Sequence, residues 1–306
     1  MVQLRLGKIN NEERKFIPTK KEFFDKYIDN LEFIEEYILT QTYLNGIKYR
    51  EYNDNGILKY TQNHKLNKIT NIKEISKKEF DEVLKYNNFK CIEKIRKYYI
   101  DGDFEIDVDY FVKPIKMIMV EVSSKKALDS YVPPKGFLEV THIKAFENSA
   151  IYEGSIKSNN TIVEGTDGVG KTETIKKLLN YGILCQDRSI EAVSNNMLFD
   201  IEMDIRAKRI EDYIISHQDN IIILINNDKE ELEKRIRKRP ILSEYDLEAF
   251  RYNLLYLDTY NYMKKKEMLH NKIFMIDCTH LTVEEQVIKV KEMIERNNNG
   301  KDKENV

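Results

Sequence analysis

The chain has no tryptophan, three cysteines, five prolines and eleven glycines in 306 residues. The cysteines, Cys91, Cys185 and Cys278, stand far apart and show no C-x-x-C spacing. That excludes a disulfide framework and reads as buried thiols in a reducing compartment. No apolar run reaches the roughly 18 residues of a transmembrane helix, and the first residues lack a signal-peptide core, so the expected location is cytoplasmic. Excess charge of one sign is missing too. Fifty Lys and Arg against 52 Asp and Glu leave a net charge of -2. No basic field argues for nucleic acid, and none argues for a membrane surface. The expected partners are nucleotide and polyphosphate small molecules. The sequence sets no oligomeric state.

What is present begins with one motif, Gly165-x-x-x-x-Gly170-Lys171-Thr172, a complete phosphate-binding loop. Glycines such as Gly165, Gly168 and Gly170 let the backbone turn sharply and aim successive N–H groups at phosphate oxygens. Lys171 supplies a point charge for β- and γ-phosphates, and the Thr172 hydroxyl can ligate Mg²⁺. Asp167 lies inside the loop. A β-branched run, Thr161-Ile162-Val163, precedes the motif, and a helical pattern with Ile175, Leu178 and Leu179 on one face follows it. That strand–loop–helix setting is the one the chemistry needs, because the helix N-terminus adds its dipole to the anion site. The cofactors expected there are ATP and Mg²⁺.

Ahead of the motif, residues 1–155 read as short strands with period-2 alternation. The alternating residues on one face are charged: Glu13 and Lys15, Lys48 and Arg50, Lys94 and Arg96, and Glu105, Asp107 and Asp109. Glu121 interrupts an otherwise apolar strand, Met117 to Val122. A face charged on one strand can simply be the one in water. Repeated over several strands with both signs, it also fits a barrel with a polar interior. Two helices interrupt the strands, Lys20 to Asn30 and Lys77 to Tyr86. Ser76 and Glu79 form a capping box at the start of the second. Asn53-Asp-Asn-Gly56 and Asp101-Gly102 are hairpin signals.

These residues carry a resemblance. Asn11-Glu-Glu-Arg-Lys-Phe-Ile17 resembles the E-x-E-x-K-F opening of the CYTH, or triphosphate tunnel, family. Lys48-x-Arg50, Ile92-Glu-Lys94-Ile-Arg96, Phe104-Glu-Ile-Asp-Val108, Val120-Glu-Val122 and Pro133 to Ile151 resemble its later segments, in order. The resemblance implies an antiparallel eight-stranded tunnel of α+β class. Basic walls would hold a triphosphate, here Arg14, Lys15, Lys48, Arg50, Lys94 and Arg96. Clustered acids would hold Mg²⁺ or Mn²⁺, here Glu13 and Glu121, with Glu139. The acidic set is eroded: Asn11 stands for the first signature Glu, Ser123 for a second, and Lys68 to Ile72 carries no acid. A hard divalent cation needs several oxygen ligands, usually carboxylates among them.

Beyond a polar linker at 154–160, residues 156–296 alternate strands with helices, which implies an α/β domain with a parallel sheet. The last ten residues, 297–306, read as a disordered polar tail. The Val163 to Thr172 loop, Asp187-Arg188 after a strand, and the Leu224 to Arg239 strand–helix resemble thymidylate kinase and related nucleoside or nucleotide kinases. The resemblance implies phosphoryl transfer from ATP. Asp187 would be a Mg²⁺-water ligand or catalytic carboxylate, unless it merely caps. Arg188 would line the site. Arg235 and Arg239 would belong to a lid over the phosphates, unless they form a solvated helix end. The acceptor-binding stretch of that family, between the loop helix and the Ile183 strand, is missing. The leading reading is therefore an ATP-dependent kinase fused behind a triphosphate-binding tunnel. One alternative makes triphosphate hydrolysis in the tunnel the main activity. Another makes the tunnel a non-catalytic phosphate sensor that controls the second domain.

Overall fold

The computed structural model describes residues 13–54, 56–66, 69–124, 128–188, 193–217, 219–238, 242 and 244–301. The chain divides into two units, Met1–Lys157 and Ser158–Val306, two residues beyond the boundary expected from sequence. The shift has a simple cause. The second unit's first strand already starts at Ser158, inside the stretch read as linker.

The first unit is an antiparallel sheet. Its elements are β1 (Glu13–Pro18), α1 (Lys21–Ile28), β2 (Glu32–Leu44), β3 (Ile47–Asp54), β4 (Ile57–Leu66), β5 (Ile69–Glu74), α2 (Lys77–Tyr86), β6 (Ile92–Asp101), β7 (Phe104–Lys113), β8 (Met117–Ser123), β9 (Phe137–Glu139) and α3 (Asn148–Tyr152). The strands pair as β5-β4-β3-β2-β6-β7-β8-β1-β9, nine rather than the eight expected. The extra one is the three-residue β9, which pairs with β1 at the edge.

Alternation gives this sheet two unlike faces. Phe16, Phe24, Ile106, Val108, Val120, Val122 and Phe137 form a buried cluster on one side, with α1. Burying each such side chain contributes about 1.5–3 kcal/mol. Over β3 and β4 the same side is covered by α2, whose Phe80 is 1% exposed and meets the Tyr60 ring at 5.6 Å. The helix starts where the sequence marks it, with the Ser76–Glu79 capping box formed in both directions. The other side carries Lys15, Lys48, Arg50, Lys94, Arg96, Asp107, Asp109 and Glu121, which share it through the strand registers. That side is concave. Glu121 of β8 acts electrostatically on Lys48 of β3, four strand steps away. In a flat sheet four steps would be roughly 19 Å.

The second unit comprises β10 (Ser158–Glu164), α4 (Lys171–Leu179), β11 (Ile183–Asp187), α5 (Met203–His217), β12 (Asn220–Ile225), α6 (Lys229–Arg237), α7 (Glu244–Leu247), α8 (Ala249–Lys265), β13 (Ile273–Asp277) and α9 (Val283–Lys301). Its strands pair in parallel in the order β11-β10-β12-β13. β12 is buried at every position, as a continuous apolar strand covered on both faces should be. The helix α9 runs five residues into the segment read as a disordered tail. Once a helix is established, each further residue adds a backbone bond at little cost. Among the described residues no helix is long and apolar enough to cross a membrane.

Candidate functional site

Two places gather charge, one in each unit. On the concave face of the first, most charges are matched. Asp109, 0% exposed, accepts from Lys94 Nζ and from Arg96 Nε (2.6 Å) and Nη2 (2.6 Å). Arg96 also donates to Asp107 (2.8 Å) and Glu121 (2.6 Å), and Lys15 Nζ lies 3.2 Å from the second Glu121 oxygen. One guanidinium thus serves three carboxylates, which its planar fork allows and an ammonium would not. Burial alone would raise the Glu121 pKa, but Lys15, Arg96 and Lys94 hold it well below the usual carboxylate range. Burial pushes Lys94 down to about 8 despite Asp109. At one end Asn148 of α3 accepts from Lys94 Nζ at 3.5 Å.

Lys48 and Arg50 differ. Among the described residues neither has a carboxylate within ion-pair distance, and Arg50 donates only to the Tyr52 hydroxyl, at 3.0 Å. Burial, then the cations Arg50 and Lys94, push the Lys48 ammonium well below the ordinary lysine value. The neighbouring wall is neutral and polar. Register sets Gln41 and Thr61 on either side of Arg50, and Tyr43 and Asn63 on either side of Lys48. Arg50 Nε, Gln41 Oε1, Thr61 Oγ1 and Asn63 Oδ1 are buried with no hydrogen-bond partner. Buried polar groups are normally satisfied, so this wall leaves hydrogen-bonding capacity for water or a ligand.

Two of the residues expected on this face are elsewhere. Arg14 points to the opposite side from Lys15, where it grips Glu139 with both arms (2.9 and 2.7 Å) and donates to the Tyr131 carbonyl. Glu139 sits across from Phe16 in the register, so it is on that opposite side too. Alternation forces this: Arg14 and Lys15 are adjacent and cannot share a face. Glu13 does share the face of Lys15, opposite Ser123. Asn11 lies outside the described residues. Among those described, no three His, Cys, Asp or Glu side chains stand together as a metal would need. The acids that do converge, Asp107, Asp109 and Glu121, are already bound to Arg96, Lys94 and Lys15. Among the described residues, the acids that converge on this face therefore do not fit the divalent metal expected from sequence.

In the second unit the loop 165–170 joins β10 to α4. Gly165 is at φ +128, and a Cβ there would come within 2.2 Å of the Leu224 carbonyl of β12, so only glycine fits. Gly170, at φ +96, starts α4. Lys171 Nζ folds back on the loop, donating to the carbonyls of Gly165 (2.9 Å) and Thr166 (2.7 Å), with Asp167 at 3.8 Å. Burial and then the Arg188 charge lower its pKa to about 8, against Asp167 and Asp187. Thr172 Oγ1 reaches Asp187 Oδ2 at 3.4 Å, while Asp187 Oδ1 is buried without a partner. Arg188, at φ +66, donates to Asp167. Lys171, Thr172, Asp167, Asp187 and Arg188 are thus brought together. Arg235 is not: Glu231, one turn back on its own helix, holds it at 2.9 Å. Arg239 lies outside the described residues.

Several residues behind the loop have no sequence signal. Glu164, fully buried, accepts from Tyr256 (3.0 Å) and Ser194 (3.3 Å). Gln286 of α9, also fully buried, accepts from Thr174 at 2.9 Å and abuts Gly170. Both ends of these bonds lie far apart in sequence, so only the fold pairs them.

No family model matches this chain, and no curated protein matches it. Among solved structures it is similar to an inorganic triphosphatase, at 23% identity over 47% of this chain and 95% of that one, with a TM-score of 0.34. A protein from Pyrococcus horikoshii OT3 is similar at 14% identity over 40% of this chain and 82% of that one, with a TM-score of 0.28. A candidate adenylate cyclase from Bacillus halodurans is similar at 12% identity over 39% and 82%, with a TM-score of 0.27. At such scores these likenesses carry no weight for function, which has to be read from the side chains.

Proposed function

We propose that the first unit binds a triphosphate on its concave face, in the manner of the CYTH family, with Lys48 and Arg50 as the main anchors. One observation carries this reading: two neighbouring, half-buried basic side chains that have no carboxylate partner among the described residues, next to a wall of buried polar atoms without hydrogen bonds. Charge taken from water costs free energy unless it is paired. A polyanion would supply the pairing. No hydrolytic step is assigned to this face, because its acids do not fit a metal. The test is calorimetry on the full chain carrying Lys171→Ala, which removes the second unit's phosphate lysine. Tripolyphosphate should bind at least about tenfold more tightly than orthophosphate, and Lys48→Met with Arg50→Met should erase the difference. No binding of tripolyphosphate at low salt would refute the reading.

A second reading concerns the other unit, which we take to be an ATP-dependent kinase acting on a nucleoside or nucleotide. The observation behind it is Lys171, Thr172 and Asp187 meeting at the N-terminus of α4. The unpartnered Asp187 Oδ1 beside the Thr172 hydroxyl fits Mg²⁺, which when bound would offset charge on the β- and γ-phosphates. The chain's own part is positioning. Loop N–H groups and Lys171 orient the phosphates, and Arg188 can turn from Asp167 toward the transferred group. Such catalysis works by placement and preorganised charge. Labelled ATP and a panel of acceptors test it. Lys171→Ala should cut transfer by about a hundredfold or more while the fold persists. Equal transfer by a folded variant would end the kinase reading.

A further inference from the structure

We infer that the first unit binds its polyanion directly through side-chain cations, without a bridging divalent metal. The inference rests on the reading of that face as a triphosphate site, and adds how the charge is met. Three observations carry it. The converging carboxylates are spent: both oxygens of Asp109 and both of Glu121 accept from Lys15, Lys94 or Arg96, and Asp107 accepts from Arg96. Asp109 is fully buried and Glu121 is 4% exposed. For a metal to take these acids, Arg96 would have to leave three carboxylates and stay buried without them, which is strongly unfavourable. Second, the Arg50 guanidinium already places a fixed positive charge at this end, and Lys48 beside it, whose ammonium burial and the neighbouring cations disfavour, would regain its proton against an anion. Third, Gln41, Thr61 and Asn63 line that end with neutral acceptors rather than carboxylates. Neutral acceptors suit bound water or a ligand O–H and hold a hard cation poorly on their own.

The two sets of cations then divide the labour. The Arg96 network is a scaffold that fixes the curvature and charge of the face. Lys48 and Arg50 are the anchors. A metal-bridged site and a direct site respond oppositely to loss of an acid. Glu121→Gln removes ligands from the first, and in the second frees Lys15 and part of Arg96 to join the anion.

The experiment is titration of tripolyphosphate into the full chain carrying Lys171→Ala, once in EDTA and once in excess Mg²⁺. Binding should persist in EDTA within about threefold of the Mg²⁺ value. Adding Glu121→Gln should keep or strengthen binding, and adding Lys48→Met should weaken it about tenfold. Thermal melts of each variant confirm folding. If Glu121→Gln does not fold, the EDTA comparison with Lys48→Met decides alone. Binding that appears only with Mg²⁺ overturns the inference and leaves the triphosphate reading standing. Absence of binding under both conditions overturns both.

Discussion

The two charged places in this chain are built in opposite ways. In the second unit a short loop does the work: backbone N–H groups, one lysine, and a helix N-terminus lie within eight consecutive residues, 165–172. In the first unit the charges come from five strands, β1, β3, β6, β7 and β8, and reach the common face only because a strand's side chains alternate. A loop site depends on local conformation, so its glycines are the fragile parts. A sheet-face site depends on matching, because every buried cation needs a partner in the fold or from outside. Lys94, Arg96 and Lys15 find theirs inside. Among the described residues Lys48 and Arg50 do not, and that contrast within one face is the strongest functional signal they give.

The comparison can be broken at its most buried point. Asp109→Ala would strand Lys94 and Arg96 without their shared carboxylate, and should destabilise the first unit by about 3–5 kcal/mol. Urea unfolding followed by near-ultraviolet circular dichroism checks this. The signal will come from the 19 tyrosines, as there is no tryptophan. A loss under about 1 kcal/mol would mean that the network is not a scaffold.

The loop site should show its own signature in pH. Lys171 titrates at about 8 in the free protein, and a bound phosphate would draw its proton back. The complex then holds more protons than the free chain, so affinity for ATP should fall as pH rises through about 8, by up to about tenfold per unit until the bound-state value is reached. Lys171→Arg should flatten that limb, since arginine stays charged. An identical pH profile for the two proteins would show that Lys171 does not meet the phosphates.

How far such contrasts could be read from sequence depends on whether the cause is local. The loop is local, and so is the capping box. Ser76 and Glu79 mark the start of α2 three residues apart, and the helix begins there. The paired charges on β3, β6 and β7 were visible because alternation is a local rule. Which side faces inward was not local. Arg14 and Lys15 look equally suited to a tunnel wall, and only β9, more than 120 residues away, shows that Arg14 belongs to Glu139. Nor does spacing reveal that Arg96 takes three acids, or that Gln286 backs the loop, since the partners arrive on other strands or helices. Small departures at helix ends, such as α1 at Lys21–Ile28 against an expected Lys20 to Asn30, reflect fraying that local rules do not fix.

The smallest effect sharpens the contrast from the other side. Ser76→Ala removes a solvent-exposed cap and should cost only about 1 kcal/mol, with no change in tripolyphosphate binding. A measurable loss of binding would mean that the α2 side of the sheet shapes the ligand face more than the register implies.

The central claim is that the two unmatched cations, and not the matched ones, receive the anion. A crystal structure of the full chain with tripolyphosphate and EDTA tests it most directly. Phosphate oxygens should lie within hydrogen-bond distance of Lys48 Nζ and the Arg50 guanidinium, with Arg96 still holding Asp107, Asp109 and Glu121. Phosphates seated on Lys94 and Arg96 with those carboxylates turned away, or bound nowhere on this face, would contradict it.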